Sequence, residues 1–194
     1  MFKQGFKSWC ENTSAALRAE LDLGADEALD PRKLAAHLDI VVWKLEEIPG
    51  IPSDCIAVLC SDSDSWSAAT VCVGARHAVV LNSSHSPARM NSDFMHELSH
   101  LILAHTPARM DVSSDQVLLL SSYNRAQEDE ANWLSGALLL PRDALFSIRR
   151  ERLTDEEACR MYSCSKNMLT FRLRVTAVDL QLTRSYRRGS RRRI

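Results

Sequence analysis

Apolar residues near the start of the chain recur at intervals of three and four, the spacing of amphipathic helices. The first predicted helix covers residues 8–22, where Trp9 and Leu17 can share one face. A second, shorter helix is predicted to begin at Asp30-Pro31, because Asp is a favoured N-cap and Pro is favoured at the first helical position. The pattern therefore places two helices before any strand.

The next part of the chain contains short apolar segments, which predict β-strands. We expect three or four strands, from candidates at residues 40–45, 55–60, 68–73 and 77–81. The last two flank Gly74-Ala75-Arg76, which fits a hairpin turn. Because these strands follow one another along the chain, they predict a small and mainly antiparallel sheet.

After residue 90 the pattern becomes helical. Two helices are predicted over residues 92–105 and 125–139, each of which ends before a proline. Thr154 and Glu157 match a capping box that begins a further helix, and a last helix is predicted over 165–178. Strands that precede a run of helices are typical of an α+β fold.

Composition and length exclude several classes of protein. The 194 residues are 45% hydrophobic and 25% charged, values typical of a globular protein and unlike those of a disordered chain. No apolar run approaches the ~18 residues that a membrane-spanning helix needs, and the N-terminal residues lack the apolar core of a secretory signal. None of the six cysteines forms a Cys-x-x-Cys pair, so we expect reduced thiols in a cytoplasmic protein without membrane contact.

The charge is divided unevenly along the chain. The net charge is −1, but residues 184–194 contain six arginines and no acidic residue, which leaves an acidic remainder with 18 basic and 25 acidic residues. We expect this tail to be disordered, either as a solubilising extension or as a weak electrostatic contact for nucleic acid or an acidic partner. Together with the helix pattern, this division predicts a domain over residues 1–150, a helical subdomain over 151–183 and the basic tail.

One short motif carries metal chemistry. Residues 96–100 read His-Glu-Leu-Ser-His and fall inside a predicted helix, where residues four apart lie one turn above each other. The imidazoles of His96 and His100 can therefore bind one metal ion together. Glu97 can reach a water molecule at that metal without being a ligand, and it can take the proton of this water as a general base.

A catalytic zinc site normally has three protein ligands and one open position, so a third ligand is needed. The sequence offers Glu128 and Glu130, in the helix about 30 residues after His100. They point roughly 200° apart around that helix, so only one of them can face the metal. Asn132 shares a face with Glu128 and could hydrogen-bond a ligating histidine.

The remaining histidines have less suitable positions. His105 ends the motif helix, where the helix dipole favours it, and on an unbroken helix it would point away from the metal. His77 and His85 lie in a strand and a loop, and we expect them to be surface or substrate-cleft residues. Tyr123, His105 and Arg89 are open alternatives for a donor to an oxyanion formed at the metal.

These motifs together resemble the ImmA/IrrE metallopeptidases of bacteria and their phages, and the similarity covers most of the chain. Three positions depart from the family pattern: Ser99 replaces a frequent Gly, Leu134 a common aromatic residue and Leu140 a common Met. The matching segments are Asp30-Pro31-x-x-Leu34-Ala35-x-x-Leu38, Ile40-Val41-Val42, Val80-Leu81-Asn82, Arg89 upstream of the metal motif, Glu128-x-x-Ala131-Asn132-x-Leu134, Leu138-Leu139-Leu140-Pro141 and the stretch from Glu157 to Leu173.

The resemblance implies a cytosolic, zinc-dependent, site-specific endopeptidase of the gluzincin type. In the family pattern the Glu three residues before the Ala-Asn pair is the third ligand, which implies that His96, His100 and Glu128 hold one Zn²⁺ per chain and that Glu97 is catalytic. Such proteins typically cleave a helix-turn-helix repressor and thereby release stress-response, mobile-element or toxin–antitoxin genes. The expected architecture is an α+β fold, with a small, mainly antiparallel sheet packed with zincin-type helices and followed by a C-terminal helical subdomain.

Other functions also fit parts of the sequence. A metal-bearing regulator without peptidase activity would use residues 155–178 as a helix-turn-helix, with Arg172 and Arg174 on DNA, although the acidic remainder of the chain opposes this. A peptide deformylase would need a Glu-Gly-Cys segment, which the surroundings of Cys72 do not match. A structural zinc would need four protein ligands, whereas the spacing supports three.

Overall fold

The computed structural model describes residues 2–48, 50–61, 66–73, 76–106, 110–112, 118–120 and 124–191. In this part of the chain, helices combine with a small three-stranded sheet in an α+β fold, as the sequence predicts. No helix in these ranges is long and apolar enough to cross a membrane. The elements in chain order are α1 (Phe6–Glu20), α2 (Pro31–His37), β1 (Val41–Lys44), a 3₁₀ turn (Leu45–Glu47), α3 (Ser53–Ser61), β2 (Ala68–Val73), β3 (Arg76–Leu81), α4 (Pro87–Ile102), β4 (Met110–Val112), β5 (Leu118–Leu120), α5 (Arg125–Leu139), α6 (Arg142–Arg150), α7 (Asp155–Met161), α8 (Lys166–Thr176) and α9 (Val178–Arg191).

Side-chain caps fix several helix starts at the positions that the sequence predicts. The Asp30 carboxylate accepts a backbone N–H at the start of α2, 2.8 Å away. Thr154 and Glu157 form the predicted capping box of α7, and the Ser165 hydroxyl caps α8. These local signals are strong because each cap satisfies helix N–H groups that have no partner within the helix.

The sheet is mixed rather than mainly antiparallel. Its strand order is β1-β3-β2, in which β2 pairs antiparallel with β3 but β1 pairs parallel with it. A parallel pair needs a crossover connection, and here α3 and β2 lie between β1 and β3 in the chain. The expectation of a mainly antiparallel sheet was therefore wrong for β1. Strands β4 and β5 form a separate antiparallel pair.

Four further differences from the sequence predictions concern helices. Residues 55–60 form part of α3 and are not a strand, because a short apolar run without a clear period is compatible with either structure. Helix α6 was not predicted, and the left-handed backbone of Ala177 (φ 52°) ends the predicted 165–178 helix and separates α8 from α9. Helix α9 continues to Arg191, so the backbone of the tail is helical to that residue where we expected disorder. No proline interrupts this stretch; residues 192–194 lie outside the described residues.

The core forms where α4 and α1 each pack against α5. Phe94 and Leu98 on α4 are buried together with Leu134 and Leu138 on α5. Each such side chain contributes roughly 1.5–3 kcal/mol through burial, so this contact is a major source of stability. It also fixes the relative positions of the two helices that carry the candidate metal ligands.

Two buried arginines hold the C-terminal end of α5. Arg18 donates to the Leu138 carbonyl at 2.6 Å, and Arg172 donates to the Leu140 carbonyl at 2.9 Å and to the Glu11 carboxylate at 2.6 Å. Helix C-termini expose carbonyls without intrahelical partners, and these cations satisfy them. Because Arg172 lies on α8, the contact ties this C-terminal helix to α5. The division into domains at residues 150 and 183 remains a prediction.

Candidate metal centre

Helix α4 presents the metal motif on its partly exposed face. The Ser86 hydroxyl caps the helix and Pro87 occupies its first position, which accounts for a start earlier than the predicted residue 92. The opposite face is buried through residues such as Phe94 and Leu98. Ser99, which replaces a frequent Gly of the family pattern, is buried and bonds back to a backbone carbonyl within the helix. This helix therefore holds the motif rigidly against the core.

The structure brings His96, His100 and Glu128 together. The Nε2 atoms of His96 and His100 lie 3.0 Å apart, and the Glu128 carboxylate lies 3.1 Å from the first and 3.5 Å from the second. Ligand atoms around a tetrahedral zinc, at bond lengths of about 2.0–2.1 Å, are separated by about 3.3 Å. These three side chains therefore fit a metal ion. Among the described residues they are the one group of three or more His, Cys, Asp or Glu side chains that could hold one.

The start of α5 explains why Glu128 reaches this position. Asn124 caps the helix by accepting backbone N–H groups, and Glu128 then falls in the first turn. The helix dipole favours a carboxylate there. The α4–α5 contact directs this turn toward the exposed face of the metal motif.

The charges of the cluster suit a metal site. Burial, together with the neighbouring His96, lowers the pKa of His100 to about 4, so this ring is neutral at pH 7 and can offer a lone pair. The hydrogen bond with His96 lowers the pKa of Glu128, which keeps the carboxylate ionised. Burial acts to lower the pKa of His96, but the hydrogen bond to Glu128 and the nearby Glu97 charge outweigh it and raise that pKa. Two imidazoles and one carboxylate are a ligand set that Zn²⁺ accepts.

Glu97 stands beside this cluster and contacts the sheet. Its Oε2 accepts a hydrogen bond of 2.6 Å from the Thr70 hydroxyl on β2. Burial raises the pKa of Glu97, while the hydrogen bond from Thr70 and the His96 charge oppose the increase. No local pattern in the sequence pointed to Thr70, because its contact with Glu97 depends on how the sheet packs on α4.

His105 and Glu130 lie next to each other beside the metal motif. Helix α4 ends at Ile102, and the left-handed backbone of Ala104 (φ 51°) turns the chain back, so that the His105 N–H donates to the His100 carbonyl. The His105 ring then lies beside the His100 ring, with the two Nδ1 atoms 3.0 Å apart, and its Nε2 lies 3.2 Å from the Glu130 carboxylate. The helix does not continue to His105, as the prediction assumed, but His105 lies outside the group that could hold a metal, as expected.

Asn132 does not occupy the place predicted for it. We expected its amide to support a ligating histidine, but Asn132 is exposed on α5. The ring that contacts His100 is that of His105. Glu130 supports His105 and is not part of the group around His96. Of the two carboxylates that the sequence left open, Glu128 is therefore the one that the structure places with both histidines of the motif.

Four other residues that the sequence offered as candidates are His77, His85, Arg89 and Tyr123. His77 is exposed on β3, and Tyr123 lies outside the described residues. His85 is buried, and its Nε2 lies 3.2 Å from a backbone carbonyl. Arg89 faces Asp93, one turn before His96 on α4, with 3.6 Å between the guanidinium and the carboxylate. His85 and Arg89 therefore have structural partners of their own.

Comparison with known proteins assigns the chain to a family. The family model of peptidase M78, described as an IrrE N-terminal-like domain, matches residues 56–174, which is more than half of the chain. This chain belongs to the M78 peptidase family. The matched M78 region extends from α3 to α8 and includes the three residues of the cluster and their neighbour Glu97. No curated protein matches the chain significantly.

Membership of the M78 family supports a metallopeptidase-type protein, and it confirms the resemblance to the ImmA/IrrE family. The match begins after α1 and α2, so these two helices lie outside it. They nevertheless contribute to the site indirectly, because α1 packs on α5 and α2 packs on α4.

Proposed function

We propose that this M78 family member is a zinc-dependent endopeptidase in which His96, His100 and Glu128 hold the metal and Glu97 is the general base. The observation that carries the proposal is the convergence of three metal-ligating side chains within 4.8 Å of one another, with Glu97 beside them. A set of three protein ligands leaves a tetrahedral ion with one open position, which is the arrangement of catalytic rather than structural zinc.

The chain's own residues supply the proton transfers. Bound zinc would polarise the scissile carbonyl and lower the pKa of water in the open position from 15.7 to about 7. Glu97 takes the proton of the attacking water and later gives it to the leaving amine. Burial raises the pKa of Glu97, which makes the protonated form easier to reach, and the Thr70 hydroxyl holds the carboxylate in place.

The sheet offers a place for an extended substrate. Strand β2 pairs with β3 along one edge, and no other described strand pairs with its opposite edge. Thr70 lies within β2 and touches Glu97, so a peptide that added to this edge as a further strand would pass beside the general base. Because such pairing uses backbone groups along a stretch of chain, it favours cleavage within a polypeptide over removal of a terminal residue.

We further propose that the substrate is a helix-turn-helix repressor whose cleavage releases stress-response, mobile-element or toxin–antitoxin genes. This part rests on the resemblance to ImmA/IrrE proteins. The test is co-expression with the helix-turn-helix protein encoded beside this chain, followed by mass spectrometry of the products. We expect one new terminus with the wild type and with the matched control Asp129→Asn, and none with Glu97→Gln. Cleavage by a metal-loaded Glu97→Gln variant would contradict the role of Glu97.

One feature of the structure argues against a DNA-binding regulator built on residues 155–178. Arg172, one of the two arginines expected on DNA, is fully buried and bonded to Leu140 and Glu11. It therefore supports the fold and cannot contact a phosphate. Arg174 is exposed on α8, and the arginine tail stays a candidate for a weak nucleic-acid contact of its own. A steep salt dependence of duplex DNA binding, lost on truncation after Thr183, would support this contact.

A further inference from the structure

A continuous row of polar side chains extends from α5 to the metal motif. The Glu130 carboxylate lies 3.2 Å from His105 Nε2, and His105 Nδ1 lies 3.0 Å from His100 Nδ1. The His105 side chain is only 6% exposed, so water competes little for its ring nitrogens. The row ends at His100 Nε2, the atom that faces Glu128 and His96.

The chemistry of imidazole assigns a proton to each contact in this row. If His100 binds a metal through Nε2, that nitrogen carries no proton, so the proton of the neutral ring is on Nδ1. His100 Nδ1–H then donates to His105 Nδ1, which must be an acceptor. The proton of neutral His105 is therefore on Nε2, where it donates to the Glu130 carboxylate. With both rings neutral and Glu130 ionised, this is the one arrangement in which each of the two contacts holds one proton, and it leaves the His100 Nε2 lone pair free for a metal.

The backbone is shaped to make this row. Ala104 adopts a left-handed conformation, which is uncommon for a residue with a Cβ, and the turn brings His105 back beside the helix that it follows. Glu130 is two residues after Glu128, so one helix supplies both a candidate ligand and the carboxylate at the far end of the row. Two elements thus converge on the side of His100 that does not face the metal.

We propose that Glu130 and His105 are positioning residues that hold His100 in the Nδ1–H tautomer and in the ring orientation required for metal binding. The inference rests on the metal site of the proposed function, because it assigns His100 as a ligand. Outer hydrogen-bond partners of ligating histidines fix the tautomer and increase ligand basicity, and their removal typically weakens metal binding by about 10–100-fold.

The first test is zinc affinity, measured by competition with a chromophoric chelator. His105→Phe keeps the ring but removes both nitrogens, and we expect it to weaken zinc binding by about 10–100-fold. Glu130→Gln keeps the shape of the side chain and removes its charge, so we expect a loss toward the lower end of that range. Asp129→Asn is the matched control, because it removes a charge from the neighbouring exposed residue of α5, and it should bind zinc like the wild type.

The outcomes separate this inference from the proposed function. If the wild type binds one zinc and both variants bind it within twofold of the wild-type affinity, the positioning role is wrong while the metal site stands. If the wild type binds no zinc, the proposed function itself fails. Circular dichroism and urea unfolding of the metal-free proteins check that each variant is folded before its zinc affinity is compared.

The tautomers provide a readout that a purely structural role would not change. Long-range ¹H–¹⁵N correlation spectra of the zinc-bound wild type should show the proton of His100 on Nδ1 and that of His105 on Nε2. In Glu130→Gln, the His105 Nε2–H resonance should shift because its acceptor becomes neutral. A proton on Nδ1 of His105 in the wild type would overturn the proposal.

Discussion

Thr70 and Glu97 are joined by a hydrogen bond of 2.6 Å, in which the hydroxyl of an edge strand donates to the carboxylate beside the metal motif. The bond links the sheet, along which a substrate can lie, to the residue proposed to move the proton. The Thr70 hydroxyl donates to Oε2 of Glu97, and this bond orients the largely buried carboxylate.

The first prediction concerns this bond. Thr70→Val keeps the shape of the side chain and removes the donor, so Glu97 loses the contact that orients it. Hydrogen bonds to charged groups contribute about 1.5–3 kcal/mol, which corresponds to a fall in kcat of about 10-fold or more. Thr70→Ser retains the hydroxyl and should keep most of the activity. Equal kcat values for the Val variant and the wild type, measured on the cleaved protein, would show that the bond has no catalytic role.

The second prediction is that zinc stabilises the fold through Glu128. At a free zinc concentration 100 times the Kd, binding contributes about 2.7 kcal/mol. For a chain of this size that corresponds to a rise in Tm of roughly 5–10 °C, and excess chelator should reverse it. Glu128→Gln should reduce the rise, whereas Asp129→Asn should leave it unchanged. A wild-type Tm that is the same with zinc and with chelator would contradict the metal site.

The third prediction concerns Gly136, which lies inside α5. Helix propensity alone favours Gly→Ala by about 1 kcal/mol. A Cβ at Gly136, however, would lie 2.5 Å from Cδ and 3.2 Å from Cγ of Arg172. Arg172 is fully buried and bonded at its far end to Leu140 and Glu11, so it cannot move aside. Gly136→Ala should therefore lower the free energy of unfolding by about 1–3 kcal/mol.

Urea unfolding of the metal-free protein measures this effect. Gly24→Ala is the control, since a Cβ there would make only ordinary contacts of 3.7 Å or more. A Gly136→Ala variant that is more stable than the wild type would show that α8 does not pack on α5 in the way described here.

The fourth prediction is selective thiol reactivity. Burial, with the nearby Glu11 charge, raises the pKa of Cys10 to about 12, and burial beside Cys159 raises that of Cys164 to about 12. Both thiols are fully buried, so at pH 8 they should react with iodoacetamide far more slowly than the exposed Cys55. Peptide mapping of alkylated native protein measures the order, and full reaction in urea is the control. Rapid labelling of Cys164 in the native protein would contradict the packing of α7 and α8.

Local signals explain which parts of the fold could be predicted. The caps at Asp30 and Thr154 and the spacing of His96 and His100 depend on neighbours within one helical turn, and the structure contains each of them as predicted. The resemblance selected Glu128, whose position depends on the contact between α4 and α5. Without the resemblance, the spacing alone left Glu128 and Glu130 as alternatives.

Tertiary packing explains what could not be predicted. Thr70 reaches Glu97 only because the edge of the sheet lies against α4. His105 reaches His100 only because Ala104 adopts a left-handed conformation, and the sequence has no glycine there to signal a turn. The parallel pairing of β1 with β3 likewise depends on a crossover that no single segment encodes.

The central claim is that His96, His100 and Glu128 together hold one zinc ion. The most direct test is anomalous diffraction at the zinc edge from crystals of the zinc-saturated protein. Our account predicts one anomalous peak per chain, about 2.0–2.2 Å from His96 Nε2, His100 Nε2 and a Glu128 oxygen. A peak held by other side chains, or by Glu130 in place of Glu128, would contradict it.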